Sequence, residues 1–140
     1  MQLNPYLSFN GDCAEAFKFY ADTFGGNIEG IMRYSDMPDG GEMPPGSENH
    51  VMHARMSIGD TVLMGADVPP GMQNATPQGF CVSIHVNEPA EADRIFNTLA
   101  ESGSVQMPIQ ETFWAARFGM MTDKYGTPWM INCEKQMSGE

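Results

Sequence analysis

Two stretches of this 140-residue chain repeat one another: AEAFKFYADTFGG begins at Ala14, and AEADRIFNTLAESGS begins at Ala90. Both carry apolar residues at helical spacing. Ala16, Phe17, Tyr20 and Phe24 make one apolar face, widened by Phe19; Ala92, Ile95, Phe96 and Leu99 make the other. Asp12 followed three residues later by Glu15 resembles a capping box, and Gly25-Gly26 supplies a stop. Pro89 suits the first turn of the second helix, and Gly103 ends it. The predicted helices span 12–24 and 89–102.

Each helix follows one strand-like run and precedes three more. PYLSF leads to NIEGIMRYS, HVMHARMSI and TVLMGAD; GFCVSIHV leads to SVQMPIQET, AARFGMMTD and PWMINCE. Each half therefore reads β-α-β-β-β, a duplicated supersecondary unit. One such unit has a single helix to cover one face of its sheet, so the other face needs a partner, which the second copy can supply. The expected fold class is α+β: two βαβββ modules forming a half-open barrel, together one structural domain. The first module covers 1–67, a Pro/Gly-rich linker covers 68–79, and the second module covers 80–140. The cup between repeats is the expected small-molecule pocket. A long acidic loop at 36–49 has the length of a lid.

Seven basic residues face eighteen acidic ones, a net charge of −11. That balance argues against nucleic acid, whose phosphates need a basic footprint, and against anionic membrane surfaces. No run of eighteen apolar residues offers a membrane span. The start, MQLNPYLSFNGD, has neither a basic beginning nor an apolar core of a secretion signal, so the expected location is the cytoplasm. Cys13, Cys81 and Cys133 are widely spaced and odd in number, which excludes a disulfide framework and suits buried reduced thiols.

The doubled β-α-β-β-β, FKFYADTFGG after the first strand, and DKYGTPWMI before the last together resemble the vicinal oxygen chelate superfamily, the glyoxalase/bleomycin-resistance/extradiol-dioxygenase fold. NPYLSFNGDCAEAFKFYADTFGG, MHARMSIGDTVLMGAD and FWAARFGMMTDKYGTPWMINCE look like its PhnB-like branch, which also carries a 3-demethylubiquinone methyltransferase-like label. The resemblance covers nearly the whole chain. It implies the fold more strongly than an activity, because this fold hosts many chemistries. For methyl transfer the residues offer no G-x-G-x-x-G after a strand.

Metal-using members of the superfamily hold up to four His, Glu or Gln ligands on the first, fourth, fifth and eighth strands. Carried over, those places fall on Asn4, Met64, Cys81 and Met130. An amide, two thioethers and a thiol are a poor set for a hard divalent ion. Tyr6, Ser83, His85, Asn132 and Glu134 share the same strand faces, and of these His85 and Glu134 are chemically suited to a metal. His50 and His53 form an H-x-x-H, but a spacing of three on a strand puts them on opposite faces. No cofactor is expected, with a divalent metal as the alternative.

In the third strand, Val51, His53, Arg55 and Ser57 alternate with Met52, Ala54, Met56 and Ile58. The second set is expected on the helix and the first toward the cup. Arg117 shares a face with Gly119, Met121 and Asp123. A strand guanidinium offers a planar fork for carboxylate or phosphate, or pairs with a neighbouring Asp or Glu. The candidate ligand-binding residues are Tyr6, His53, Arg55, Trp114 and Arg117: Arg55, Arg117 and His53 as polar anchors, Tyr6 and Trp114 as aromatic walls. Ser8, Ser57 and Ser83 lie on strands rather than on a strained elbow, so no nucleophile is singled out. His53 or His85 can serve as a general base. The expected function is metal-free binding of a small anionic or aromatic molecule by a homodimer; the alternative is a metal-dependent lyase or ring-cleaving dioxygenase.

Overall fold

The computed structural model describes residues 1–36, 46–68 and 79–135. Most of the 36–49 loop and of the 68–79 linker lies outside them. The elements in chain order are β1 (Tyr6–Phe9), α1 (Cys13–Phe24), β2 (Asn27–Arg33), a 3-10 turn (Tyr34–Asp36), β3 (Val51–Ile58), β4 (Thr61–Asp67), β5 (Val82–Val86), α2 (Pro89–Ala100), β6 (Ser104–Gln110), β7 (Ala115–Thr122) and β8 (Pro128–Glu134). This is α+β architecture made of two βαβββ modules. The chain divides into two compact units, Met1–Ala75 and Thr76–Glu140.

Each unit holds one open four-stranded sheet. The strand order is β1-β4-β3-β2 in the first and β5-β8-β7-β6 in the second. In both, the opening strand runs parallel to the last one, and the other neighbours are antiparallel. The helix connecting the first two strands of each unit makes that parallel pairing reachable.

In the first unit α1 buries Cys13, Ala16, Phe17 and Tyr20, and the sheet buries Phe9, Val51, Ala54, Met56 and Leu63. Phe9 meets Phe17 edge-on at 6.2 Å between ring centroids, and Phe17 meets Tyr20 at 6.1 Å. In the second unit Ala92, Ile95, Phe96 and Leu99 are buried, as are Met121, Trp129, Ile131 and Cys133 of the sheet. Trp129 lies in this core, as its sequence alternation indicates. Glycine lets each helix come close to its sheet: a Cβ on Gly65 would stand 3.0 Å from Phe17, and one on Gly119 would stand 2.7 Å from Phe96.

Three details differ from the sequence reading. Asp12 makes no side-chain capping bond to α1. The cap comes from Asp67 at the end of β4, whose Oδ1 accepts the amides of Gly11 (2.9 Å) and Cys13 (3.0 Å). Its Oδ2 accepts the amide of Val51 at 2.8 Å. Second, Val51 is buried rather than turned outward. The β2–β3 register pairs Met32 with His53 but Arg33 with Val51, so Met52 is an extra residue that reverses the alternation beyond it. Third, α2 stops at Ala100, two residues early: Glu101 turns extended, with ψ of 123°, and Ser102 after it takes a left-handed φ of 63°.

Candidate functional site

The face of the first sheet away from α1 carries Tyr6, His53 and Arg55 beside Met64 and Met32. The register sets Tyr6 beside Met64 and Met64 beside Arg55. His53 stands two residues from Arg55 on β3. Tyr6 Oη lies 3.2 Å from His53 Nδ1, and the two rings are 5.8 Å apart. Burial, then the neighbouring Cys13 and Tyr34, push the Tyr6 phenol above its ordinary range. The phenol and the imidazole share this hydrogen bond, the His53 tautomer setting which of the two donates.

Arg55 donates from Nε to Glu29 Oε1 at 2.7 Å, and that contact holds the Glu29 carboxyl below the usual carboxylate range. Glu29 is the extra residue of a bulge between Ile28 and Gly30, which aims it at Arg55. Both partners are half exposed, so the pair adds little stability; the contact uses the Arg55 Nε. The structure thus brings Tyr6, His53 and Arg55 together.

Arg117 is a correction. It does share a face with Gly119 and Met121, but that is the face α2 covers. Ala116 is an extra residue between the pairs Ala115–Glu134 and Arg117–Cys133, and Cys133 is itself buried. Arg117 Nε accordingly donates to Asp93 Oδ1 on α2 at 3.0 Å, and its Nη1 donates to the Ala116 carbonyl. It is an anchor between helix and sheet, not a group on the open face.

Trp114 stands just before β7 and is half exposed. Its ring meets Phe118 edge-on at 5.4 Å and Phe113 at 4.8 Å. Phe118 pairs with Asn132, and Asn132 with His85, across the open face of the second sheet. On that face lies a chain the sequence reading did not assemble. Ser83 Oγ is 2.9 Å from His85 Nε2, and Asn132 Nδ2 is 3.3 Å from His85 Nδ1. The signal was available: Ser83 and His85 are two apart on one strand and share a face. Asn132 needed the β5–β8 register.

The inherited metal places fit poorly. Asn4 amide donates to Gln2, and the other positions carry two thioethers and a thiol rather than carboxylate or imidazole. Among the described residues, no group of three or more His, Cys, Asp or Glu side chains gathers as for a metal ion. Cys13 is sealed: burial, then Asp67 and Asp12, push its thiol far up, which removes it as a thiolate ligand.

Two duplicated βαβββ modules with open sheets define a protein of the glyoxalase/bleomycin-resistance fold, the fold of the vicinal oxygen chelate proteins. The chain belongs to the family described as 3-demethylubiquinone-9 3-methyltransferase, which matches residues 1–132. Protein YjdN of Escherichia coli strain K12 is 37% identical over 144 residues, covering 97% of each chain. Protein PA1353 from Pseudomonas aeruginosa has a solved structure with a TM-score of 0.89 and 45% identity, covering 97% of this chain and 99% of that one. A PhnB protein from Bacillus cereus follows at a TM-score of 0.76 and 26% identity, covering 95% of this chain and 99% of its own.

Proposed function

We propose that this family member binds a small anionic or aromatic molecule without a catalytic metal. The observation that carries the reading is the grouping of Tyr6, His53 and Arg55 on the face of the first sheet opposite α1. A guanidinium with donors to spare grips a carboxylate, and the Tyr6–His53 pair offers a ring and a hydrogen-bonding edge beside it. Trp114 gives the second unit an aromatic surface of its own. The donor chemistry of Asn4, Met64, Cys81 and Met130 is the reason a hard metal ion, and with it the lyase or dioxygenase alternative, is disfavoured. Methyl transfer is not part of this reading, since the turns after β1 and β5 are the short Asn10–Asp12 and Asn87–Glu88 rather than glycine-rich phosphate cradles.

Calorimetric titration with benzoate and salicylate tests the anchor. Losing a charge-assisted hydrogen bond costs about 1.5–3 kcal/mol, so Arg55→Ala is expected to weaken binding about tenfold or more. Equal affinity in Arg55→Ala contradicts the reading. The variant should fold normally, because its ion pair is exposed.

The proposal extends to a cytoplasmic homodimer. The three cysteines are free, as suits a reducing compartment. Strand β6 is an edge strand exposed along almost its whole length, with Val105 and Met107 outward. Such an edge invites cover, and two-fold pairing is the commonest kind. Light scattering at tens of micromolar is expected to give twice the 15.4 kDa chain mass; the single-chain mass overturns the dimer.

A further inference from the structure

Within β2, Glu29 is the residue that the strand ladder passes over. Ile28 pairs with Met56 and Gly30 with Arg55, so Glu29 stands in the bulge between them. Its carboxylate meets two donors of β3: Arg55 Nε at 2.7 Å, and the Ser57 hydroxyl. Ser57 is two residues from Arg55 on the same strand and so shares its face. The Arg55 hydrogen bond, helped by the one from Ser57, keeps the Glu29 carboxyl below its ordinary range, so it is charged at neutral pH.

This is how a bound carboxylate is held, with the carboxylate supplied by the protein itself. A guanidinium offers a carboxylate two edges, one made by Nε and an Nη, the other by both Nη. Glu29 holds the Nε side. Next to it there is room. Gly30 is the cross-strand partner of Arg55, its backbone lies outside the left-handed region, and a Cβ on it would meet nothing within 4 Å. Neither backbone conformation nor packing requires glycine there; its missing side chain leaves open the space beside Arg55. The contact that keeps Glu29 in place is an exposed pair, which is weak.

We propose that Glu29 is an internal stand-in for the carboxylate of the ligand: Arg55 and Ser57 hold Glu29 in the free protein and exchange it for the ligand's carboxylate. The inference rests on the Arg55 reading above and adds to it a second donor, Ser57, and a competitor, Glu29. Binding then trades one exposed ion pair for another, so affinity reflects the difference between the two contacts and not the strength of the new one. The competitor also sets specificity, because an uncharged group does not displace a carboxylate from a guanidinium.

Calorimetric titration of benzoate into the full chain reads the exchange. Glu29→Gln keeps the shape of the side chain and removes its charge. It is expected to tighten benzoate about five- to tenfold, the size of one exposed ion pair released and one nearby like charge removed. Benzamide, with the same ring and no charge, is expected to bind wild type and Glu29→Gln equally. Adding Ser57→Ala to Glu29→Gln is expected to weaken benzoate about fivefold, in line with one hydrogen bond. In an Arg55→Ala background the gain from Glu29→Gln is expected to shrink to about twofold or less, since no guanidinium remains to be released. An unaltered melting temperature in each variant separates changed binding from lost folding. Equal benzoate affinity in wild type and Glu29→Gln, with Arg55→Ala still weaker, overturns the inference and leaves the Arg55 reading standing: the ligand then takes the other edge and Glu29 stays. The same gain with and without Arg55 also overturns it, because Glu29 then only repels the ligand. No benzoate binding by wild type and Glu29→Gln alike overturns the Arg55 reading, and this inference with it.

Discussion

Asp67 ties together three parts of the first unit that are far apart in sequence. Its carboxylate takes the amides of Gly11, Cys13 and Val51, and so caps α1, closes the turn after β1 and fixes the entry to β3. The residue is buried, so each amide it abandons would be desolvated without a partner. Asp67→Ala is expected to cost about 3 kcal/mol or more, from roughly 1–3 kcal/mol per unsatisfied group, in urea unfolding. A loss under about 1 kcal/mol would contradict the role given to it. The sequence does not reveal this, because its partners are backbone groups that only the fold assembles. Asp12 looked like the cap because it sits at the right spacing from Glu15. Its carboxyl is instead pushed above the ordinary range by burial, with the nearby Asp67 and Glu15 adding to the shift. His53 and Arg55 were legible from strand alternation alone; Arg117 was placed with its true neighbours but on the wrong side, since alternation groups residues without saying which group the helix covers.

At the scale of elements, periodicity located both helices and all eight strands of the described residues, because apolar spacing is a local property of the sequence. The bulges at Glu29, Met52 and Ala116 were not legible. A bulge depends on the pairing of two strands, and one inserted residue turns every later side chain over. The end of α2 follows the same rule of local against tertiary demand. Ser102 holds a left-handed φ of 63°, while Gly103 is pressed so tightly on the β7 end that a Cβ would lie 2.3 Å from the Thr122 carbonyl. The glycine is spent on close approach, and the serine bears the backbone strain. Ser102→Gly is therefore expected to stabilise the protein by up to about 1 kcal/mol, since a left-handed conformation costs an ordinary residue roughly 1–2 kcal/mol. A lower urea midpoint in this variant would contradict that assignment.

For the whole molecule, the duplication was the most informative feature, and it carried the fold class and the family resemblance together. The ligand chemistry was less legible, because it depends on which residues the register sets side by side. Tyr6 with His53 and His85 with Asn132 are such pairs, and neither is a sequence neighbour. The central claim is that binding needs no metal, and it rests on the amide at Asn4 and the sulfur donors at Met64, Cys81 and Met130, which bring neither carboxylate nor imidazole. The most direct measurement is calorimetric titration of benzoate into protein stripped with a chelator, repeated after adding zinc or magnesium. The account predicts the same affinity in all three titrations. Binding that appears only when a divalent ion is returned would contradict it.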